Sequence, residues 1–393
     1  MNRMLGHLLG KVLGSFTSYR RLVEMSSKLN LPLVTPLKSS VQITLHCNSK
    51  CSYCDMWKLG ESPNSCYAVA SETLDDVFCS LSELGVRFVS LTGGEPLTHK
   101  DLNEIIHSAR HHKLLTDIST NGISLTKDRV LELADAGIQG ISLSLDTLDP
   151  KIYEKHRGVP FKFAQRALES LSYVVSEYPT IGGTVNCVIT RYNIGKLVRF
   201  AESIAEYGKS AISVTLQPYH RPPSFSEISG ELDQEMTRKL CLCYRDRLPE
   251  GLTPNNKLKP KVEKEIEELI QLKRRGFPLR NSETYLKMIP DFLFNNQLPR
   301  DFTCLAGYTC VFIRYDLKVL PCYRLPPVGE VLDGDLADIW FSKRYRKQRK
   351  RMKDLICHGC MFLCYTEPGW SSSLMTWKFY DCIYRSSIIP RDY

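Results

Sequence analysis

The sequence predicts an α/β protein built on a parallel sheet, with a small cysteine-rich module at its C-terminal end. Three observations lead there. Six strand-like runs alternate with helix-like stretches between residues 41 and 216, and β–α units in series make a parallel sheet with helices outside it. Cysteines then gather between residues 304 and 382, where regular periodicity is weak. A short module of that kind depends on metal to fold. Periodicity alone leaves open whether the sheet is flat or closes towards a barrel.

The elements follow in order. Leu5, Leu8, Leu9, Val12, Leu13 and Phe16 recur at helical spacing within a basic segment, residues 1–37. Gly6, Gly10 and Gly14 weaken an isolated helix, so packing against the protein is expected, with contact at a membrane surface as the rival. Strands are expected at Val41–His46, Arg87–Thr92, Leu114–Ser119, Gly140–Leu145, Gly183–Thr190 and Ala211–Leu216. Between them, a helix opens at Thr73 with Asp76 three residues later, a capping-box-like start. Further helices run through Asp101–His112, Thr126–Ala136 with Gly137 as stop, Phe161–Glu177, and Ile194–Tyr207 with Gly208 as stop. Pro218, Pro222 and Pro223 end the series, residues 226–300 read as mostly helical, and a charged amphipathic helix covers Lys261–Arg275. The expected units are 1–37, a core at 38–222, a helical connector at 223–300 and the cysteine-rich module at 301–393.

Composition narrows the function classes. A chain of 393 residues, 43% hydrophobic, has room for one large and one small domain. No run of eighteen apolar residues suggests a membrane span, and the N-terminus lacks a signal-peptide pattern. An intracellular, cytoplasmic location is expected. Fifteen cysteines in a chain this long speak against a secreted disulfide scaffold and for metal or redox chemistry. Ten of them fall at 47–54 and 304–382; Cys66, Cys79, Cys187, Cys241 and Cys243 are scattered, as buried small hydrophobes would be. The net charge of +9 is concentrated in the first forty residues and in Lys343–Lys353, which holds eight Lys or Arg and no acid. A solvated helix face explains such a run; an acidic partner is the alternative.

The chemistry sits in His46-Cys47-Asn48-Ser49-Lys50-Cys51-Ser52-Tyr53-Cys54, a C-x3-C-x2-C loop directly after the first strand. Ligands of parallel α/β folds bind at that end of the strands. Three thiolates on one loop can hold three corners of a [4Fe–4S] cluster and leave the fourth iron open. Zinc, the rival, usually asks for four ligands in two pairs.

This loop resembles that of the radical S-adenosylmethionine (SAM) superfamily, and the resemblance continues along the chain. Gly93-Gly94-Glu95-Pro96 after the second strand is similar to the family's GGEP motif, which binds the SAM amino group. Two glycines let backbone carbonyls approach an ammonium, and Glu95 adds charge. Ser119 and Asn121 end the third strand, and Ser144 and Asp146 end the fourth, where the family contacts the SAM ribose and carboxylate. Arg157 matches a basic position able to pair with that carboxylate. Tyr53, Asn186 and, more weakly, Gln217 complete the implied SAM site. The resemblance covers about residues 38–220 and implies a partial (β/α)6, TIM-like barrel.

Cys304, Cys310, Cys322, Cys357, Cys360, Cys364 and Cys382 are similar to the SPASM extension of that family, which carries two auxiliary [4Fe–4S] clusters. Asp316-Leu317-Lys318-Val319-Leu320-Pro321-Cys322 and Asp338-Ile339-Trp340 also look like it. There are two departures: Leu317 stands where the family has glycine, and one cysteine of the second group is missing. The resemblance implies one auxiliary cluster on Cys304, Cys310, Cys322 and Cys364, and a second on Cys357, Cys360 and Cys382. A one-cluster SPASM- or twitch-like variant on Cys304, Cys322, Cys357 and Cys360 is the alternative.

The implied activity is reductive cleavage of SAM and hydrogen abstraction from a substrate by the 5′-deoxyadenosyl radical. An electron donor such as flavodoxin or ferredoxin is implied, and DNA is not. The expected substrate is a small biosynthetic intermediate or sugar, with a peptide or protein side chain as the alternative. Tyr219, His220 and Arg221, just past the last strand, are candidates to touch it. A non-catalytic iron–sulfur protein that binds nucleic acid through Lys343–Lys353 is the contrasting class.

Overall fold

The computed structural model describes residues 16–54, 56–60, 68–219, 252, 254–295, 297–299, 304–323, 325–355 and 361. Strands β1 (Lys38–Thr44), β2 (Phe88–Gly93), β3 (Leu115–Thr120), β4 (Gly140–Ser144), β5 (Gly182–Ile189) and β6 (Ile212–Pro218) pair in parallel with their sequence neighbours. The six lie within a few residues of the expected runs. Between them pack α2 (Ser71–Leu84), α3 (Leu102–His111), α4 (Lys127–Ala136), α5 (Pro150–Arg157), α6 (Lys162–Glu177) and α7 (Leu197–Tyr207); α1 (Phe16–Leu29) precedes β1. The expected helix through Leu5–Leu13 lies outside the described residues.

Alternation along the strands sorts their two faces. Ile118 of β3, Ile141 and Leu143 of β4, and Val185, Cys187 and Ile189 of β5 are buried in one core with Leu133, Leu171 and Ile204 of the helices. The opposite face carries aligned polar rows: Ser119, Ser142 and Thr184, then Ser144, Asn186 and Thr215. A polar inner face is unlike the apolar filling of a closed barrel and leaves a lining suited to a polar ligand.

Among the described residues the sheet does not close. Its described order is β6-β5-β4-β3-β2-β1-β7-β8-β9, with β7 (Cys310–Ile313) parallel to β1. The antiparallel strands β8 (Lys318–Leu320) and β9 (Gly329–Glu330) follow. The cysteine-rich module therefore extends the core sheet. At the far edge, Leu279 bridges Val214 of β6, and the Asn281 amide exchanges two hydrogen bonds with the Leu216 backbone at 2.7 and 2.8 Å. This seals an edge that would otherwise expose unpaired backbone. The charged amphipathic stretch forms α8 (Lys259–Arg274), followed by α9 (Glu283–Asn295), while α10 (Leu336–Phe341) and α11 (Lys343–Leu355) follow β9. Residues 220–250, part of the expected connector, lie outside the described residues.

Two helix boundaries differ from expectation. Helix α2 begins at Ser71 with Ala70 as an N-cap that makes no side-chain bond, so Thr73 lies inside the first turn. Ala68 bridges Thr44 and Val69 donates to the Ile43 carbonyl, which keeps the chain extended until Ala70. Gly137 caps α4 in the left-handed region as expected, but Gly208 does not, at φ −89°. Lys209 and Ser210 make the left-handed turn instead, and the Ile212 side chain occupies the space a Cβ at 208 would need.

Candidate functional site

The cysteine loop leaves β1 at its C-terminal end, beside the end of β2. Gly94 N donates to the Thr44 carbonyl and Glu95 N to that of His46, both at 2.8 Å. A Cβ at Gly93 would run into the Thr44 carbonyl oxygen, and one at Gly94 into the Leu45 and His46 carbonyls. Gly93 also has φ 135°, a region open chiefly to glycine. The glycine pair is thus required first by the fold, to bring the cysteine loop against β2.

Glu95 joins β2 to β3 and is 1% exposed. One carboxylate oxygen accepts from Leu97 N (3.0 Å) and Thr120 Oγ1 (2.7 Å), the other from Asn121 N (2.6 Å). Burial pushes its carboxyl up to about 7 against these bonds. Three donors on two oxygens leave one acceptor lone pair, on Oε2, for a ligand. Asn121 turns its side-chain amide to the cysteine loop, with Nδ2 2.8 Å from Asn48 Oδ1 and 3.8 Å from Cys47 Sγ.

On the other flank, α5 carries Arg157. Its Nη2 pairs with Asp146 Oδ2 at 2.6 Å, its Nη1 faces Cys51 Sγ at 3.9 Å, and its buried Nε has no hydrogen-bond partner. Burial opposes the guanidinium charge, but Asp146, Tyr53 and Cys51 offset that and hold its pKa well above the usual value. The Tyr53 hydroxyl donates to the same Asp146 oxygen, while Asp146 Oδ1 accepts from Val188 N at 2.8 Å. Asp146 thereby ties the loop, α5 and β5 together. Burial, and after it the Asp146 charge, push the Tyr53 phenol well above its ordinary pKa although Arg157 pulls it down.

Ser119, Ser144 and Asn186 are half-buried on the polar inner face, in the rows described above. Gln217 is half-buried on β6. Tyr219 sits edge-on to Tyr53 with ring centroids 6.1 Å apart, whereas His220 and Arg221 lie outside the described residues. Cys187 faces the helix layer, where Asn193 Nδ2 approaches its sulfur at 3.5 Å and holds the ends of β4 and β5 through the Asp146 and Val188 carbonyls. Sequence reasoning missed Asn193, Thr120 and Ser49. Ser49 donates to the Arg157 carbonyl at 2.7 Å and lies 3.2 Å from Cys51 Sγ. Its position inside the cysteine loop was the only available signal.

The donor set, three thiols on one short loop, is that of an iron–sulfur cluster with one iron left open. Among the described residues, no three His, Cys, Asp or Glu side chains form a site for one metal ion. Two of the thiols are faced by N–H groups from Asn121 and Arg157, and hydrogen bonds to sulfur tune such a centre. Burial pushes the Cys47 thiol up to about 12, with Glu95, Cys51 and Cys54 adding to the rise over the opposing Ser49 N–H. A cationic metal centre is what removes such a proton.

In the C-terminal module, Cys310 packs with Ala306, Leu325 and Met352, and Cys304 and Cys322 border the same group. Burial pushes the Cys310 thiol up, against Lys38 and the Thr309 hydroxyl. Cys357, Cys360, Cys364 and Cys382 lie outside the described residues. Leu317 adopts φ 62°, the left-handed conformation in which glycine is most at ease.

Comparison with known proteins agrees with this geometry. Residues 41–202 match the Radical SAM superfamily, and residues 304–361 match SPASM, an iron–sulfur cluster-binding domain. The probable GTP 3′,8-cyclase of Methanopyrus kandleri is 32% identical over 191 residues, 49% of this chain and 60% of the relative. The mycofactocin maturase MftC of Mycolicibacterium smegmatis is 27% identical over 206 residues, 52% of this chain and 51% of the relative. The chain thus spans between half and two thirds of these relatives. Streptococcus suis SuiB bound to its precursor peptide SuiA shares the fold with TM-score 0.59 and 20% identity, over 89% of this chain and 77% of that one. For anSMEcpe with bound AdoMet the values are 0.57 and 14%, over 90% and 98%. At such identities the two structures speak for the fold alone.

Proposed function

Because this chain belongs to the radical SAM superfamily and carries a SPASM-type iron–sulfur domain, we propose that Cys47, Cys51 and Cys54 hold the [4Fe–4S] cluster at which SAM is cleaved. Reduced by an external one-electron donor, a cluster held there would supply the electron for cleavage of SAM to methionine and a 5′-deoxyadenosyl radical able to take a hydrogen atom from the substrate. The carrying observation is the convergence of β2, β3 and α5 on one loop: Gly94 and Glu95 fix its base, Asn121 faces Cys47, and Arg157 faces Cys51. Glu95 keeps one lone pair for the SAM ammonium. Ser119, Ser144 and Asn186 line the polar inner face for the rest of SAM. Asp146 and Tyr53 hold Arg157 in place beside the cluster. Cys304, Cys310 and Cys322, gathered at the head of β7, hold an auxiliary cluster.

The test is SAM turnover by anaerobically reconstituted, reduced protein. The full chain should form 5′-deoxyadenosine, and Cys47→Ala, Cys51→Ala or Cys54→Ala should each abolish it. Full activity in any of these variants overturns the assignment.

Two substrate classes have support. The likeness to probable GTP cyclases favours a small molecule. The likeness to a mycofactocin maturase favours a peptide. Stimulation of 5′-deoxyadenosine formation by GTP or other metabolites, against stimulation by peptide fractions, separates them by mass spectrometry.

A further inference from the structure

Helix α11 turns one face to the C-terminal cysteines. Met352 packs in the same group as Cys310, with Cys304 and Cys322 at its border. One turn earlier stands Arg349, 0% exposed. Its Nε donates to the Gly307 carbonyl at 2.7 Å and its Nη1 to the Trp340 carbonyl at 2.9 Å, while Nη2 is buried with no hydrogen-bond partner among the described residues. Neither partner is a carboxylate. Tyr345, Trp340 and Tyr308 place their rings 4.0, 4.3 and 5.3 Å from the guanidinium. The Tyr345 hydroxyl is a second buried donor without a hydrogen-bond partner among the described residues.

A guanidinium taken out of water needs an opposing charge. Aromatic faces supply part of that attraction but are poor acceptors for the remaining N–H bonds. The nearby anion is indicated by where the helix meets the cysteine segment. Gly307, whose carbonyl accepts from Arg349, lies three residues from both Cys304 and Cys310, and Met352, one turn along the same helix, packs with Cys310. A thiolate-ligated iron–sulfur centre is net negative, and reduction makes it more so.

We infer that Arg349 and Tyr345 form a buried cationic, hydrogen-donating wall against the iron–sulfur centre on Cys304, Cys310 and Cys322, and that they raise its reduction potential. The inference rests on the proposed assignment of those cysteines. A positive charge stabilises the reduced centre more than the oxidised one, because the reduced centre carries one more negative charge. The Tyr345 hydroxyl acts in the same direction when it donates to a cluster or thiolate sulfur.

The experiment is an anaerobic redox titration of the reconstituted full chain, followed by EPR, with iron counted per chain. Arg349→Met, which removes the charge and keeps the bulk, should lower the auxiliary midpoint potential and leave the core cluster's unmoved. Arg349→Lys should restore most of the loss, which a purely structural role of the two carbonyl bonds does not predict. Tyr345→Phe should lower the potential less, at unchanged iron content. If Arg349→Met does not hold its iron, Tyr345→Phe decides: a lowered potential supports the inference and an unmoved one overturns it. Wild-type potentials in all three variants also overturn it. Should Cys310→Ala leave iron content and the auxiliary signal untouched, the cysteine assignment itself is wrong and the inference goes with it.

Discussion

Glu95 spends most of its acceptor capacity inside the protein, so its substitution reaches beyond SAM. A glutamine offers one oxygen, and at least one of the donors from Leu97, Thr120 and Asn121 would then face an amide N–H2. Glu95→Gln should cost about 1–3 kcal/mol, read as a lower urea midpoint of the metal-free chain at neutral pH, in addition to weaker SAM binding. The pH dependence has a definite sign. Burial raises this carboxyl from 4.5 to about 7, so its contribution to stability is fully present below pH 4.5 and is lost as pH rises through about 7. The metal-free wild type should lose stability over that window, and Glu95→Gln should lose less. A second residue-scale test concerns Leu317, held at φ 62° in the turn before β8. Branched side chains fit that conformation worst. Leu317→Val should destabilise by roughly 1–3 kcal/mol, whereas Leu317→Gly, trading packing for relief of strain, should stay within about 1 kcal/mol of wild type. Equal melting temperatures for the Val and Gly variants would contradict this.

Among the elements, β6 depends on a side chain for its outer edge. Asn281 is 0% exposed and serves both the N–H and the carbonyl of Leu216. Asn281→Ala orphans both groups and should cost about 2–4 kcal/mol, measured by thermal unfolding, with earlier exchange of the Leu216 amide. The six core strands were legible in the sequence because each is a run bounded by a helix signal and buried on at least one face. Strands β7, β8 and β9 span four, three and two residues, too short for periodicity to register. Nor does any local pattern announce that Cys310–Ile313 pairs in parallel with a strand some 270 residues earlier. The site divides the same way. The cysteine loop and Gly93-Gly94-Glu95 are contiguous and carried their own signal. Thr120, Asn193 and Ser49 are single polar residues whose work exists only once β2, β3, β5 and α5 are brought together.

Across the whole molecule, β1 separates the two groups of cysteines. Cys310 pairs with Lys38 at the start of the strand, while Cys47 lies three residues beyond its end at Thr44. At about 3.3 Å per residue, the strand alone spans roughly 20 Å. No helix among the described residues is long and apolar enough to cross a membrane. Two iron–sulfur centres so far apart should assemble independently. Cys310 also distinguishes the competing ligand schemes, because the one-cluster alternative uses Cys304, Cys322, Cys357 and Cys360 and leaves it out. In the structure Cys310 is buried at the centre of the packing group that Cys304 and Cys322 border, which favours its being a ligand. Cys310→Ala should therefore lower iron by about four per chain, one [4Fe–4S] centre, and spare 5′-deoxyadenosine formation. The wild type should hold about twelve irons with two auxiliary clusters and about eight with one. Iron and sulfide counts with Mössbauer spectra of both proteins provide the measurement. An unchanged count in Cys310→Ala would return Cys310 to the role of a buried thiol, and loss of SAM cleavage in that variant would show that the two ends of β1 are not independent.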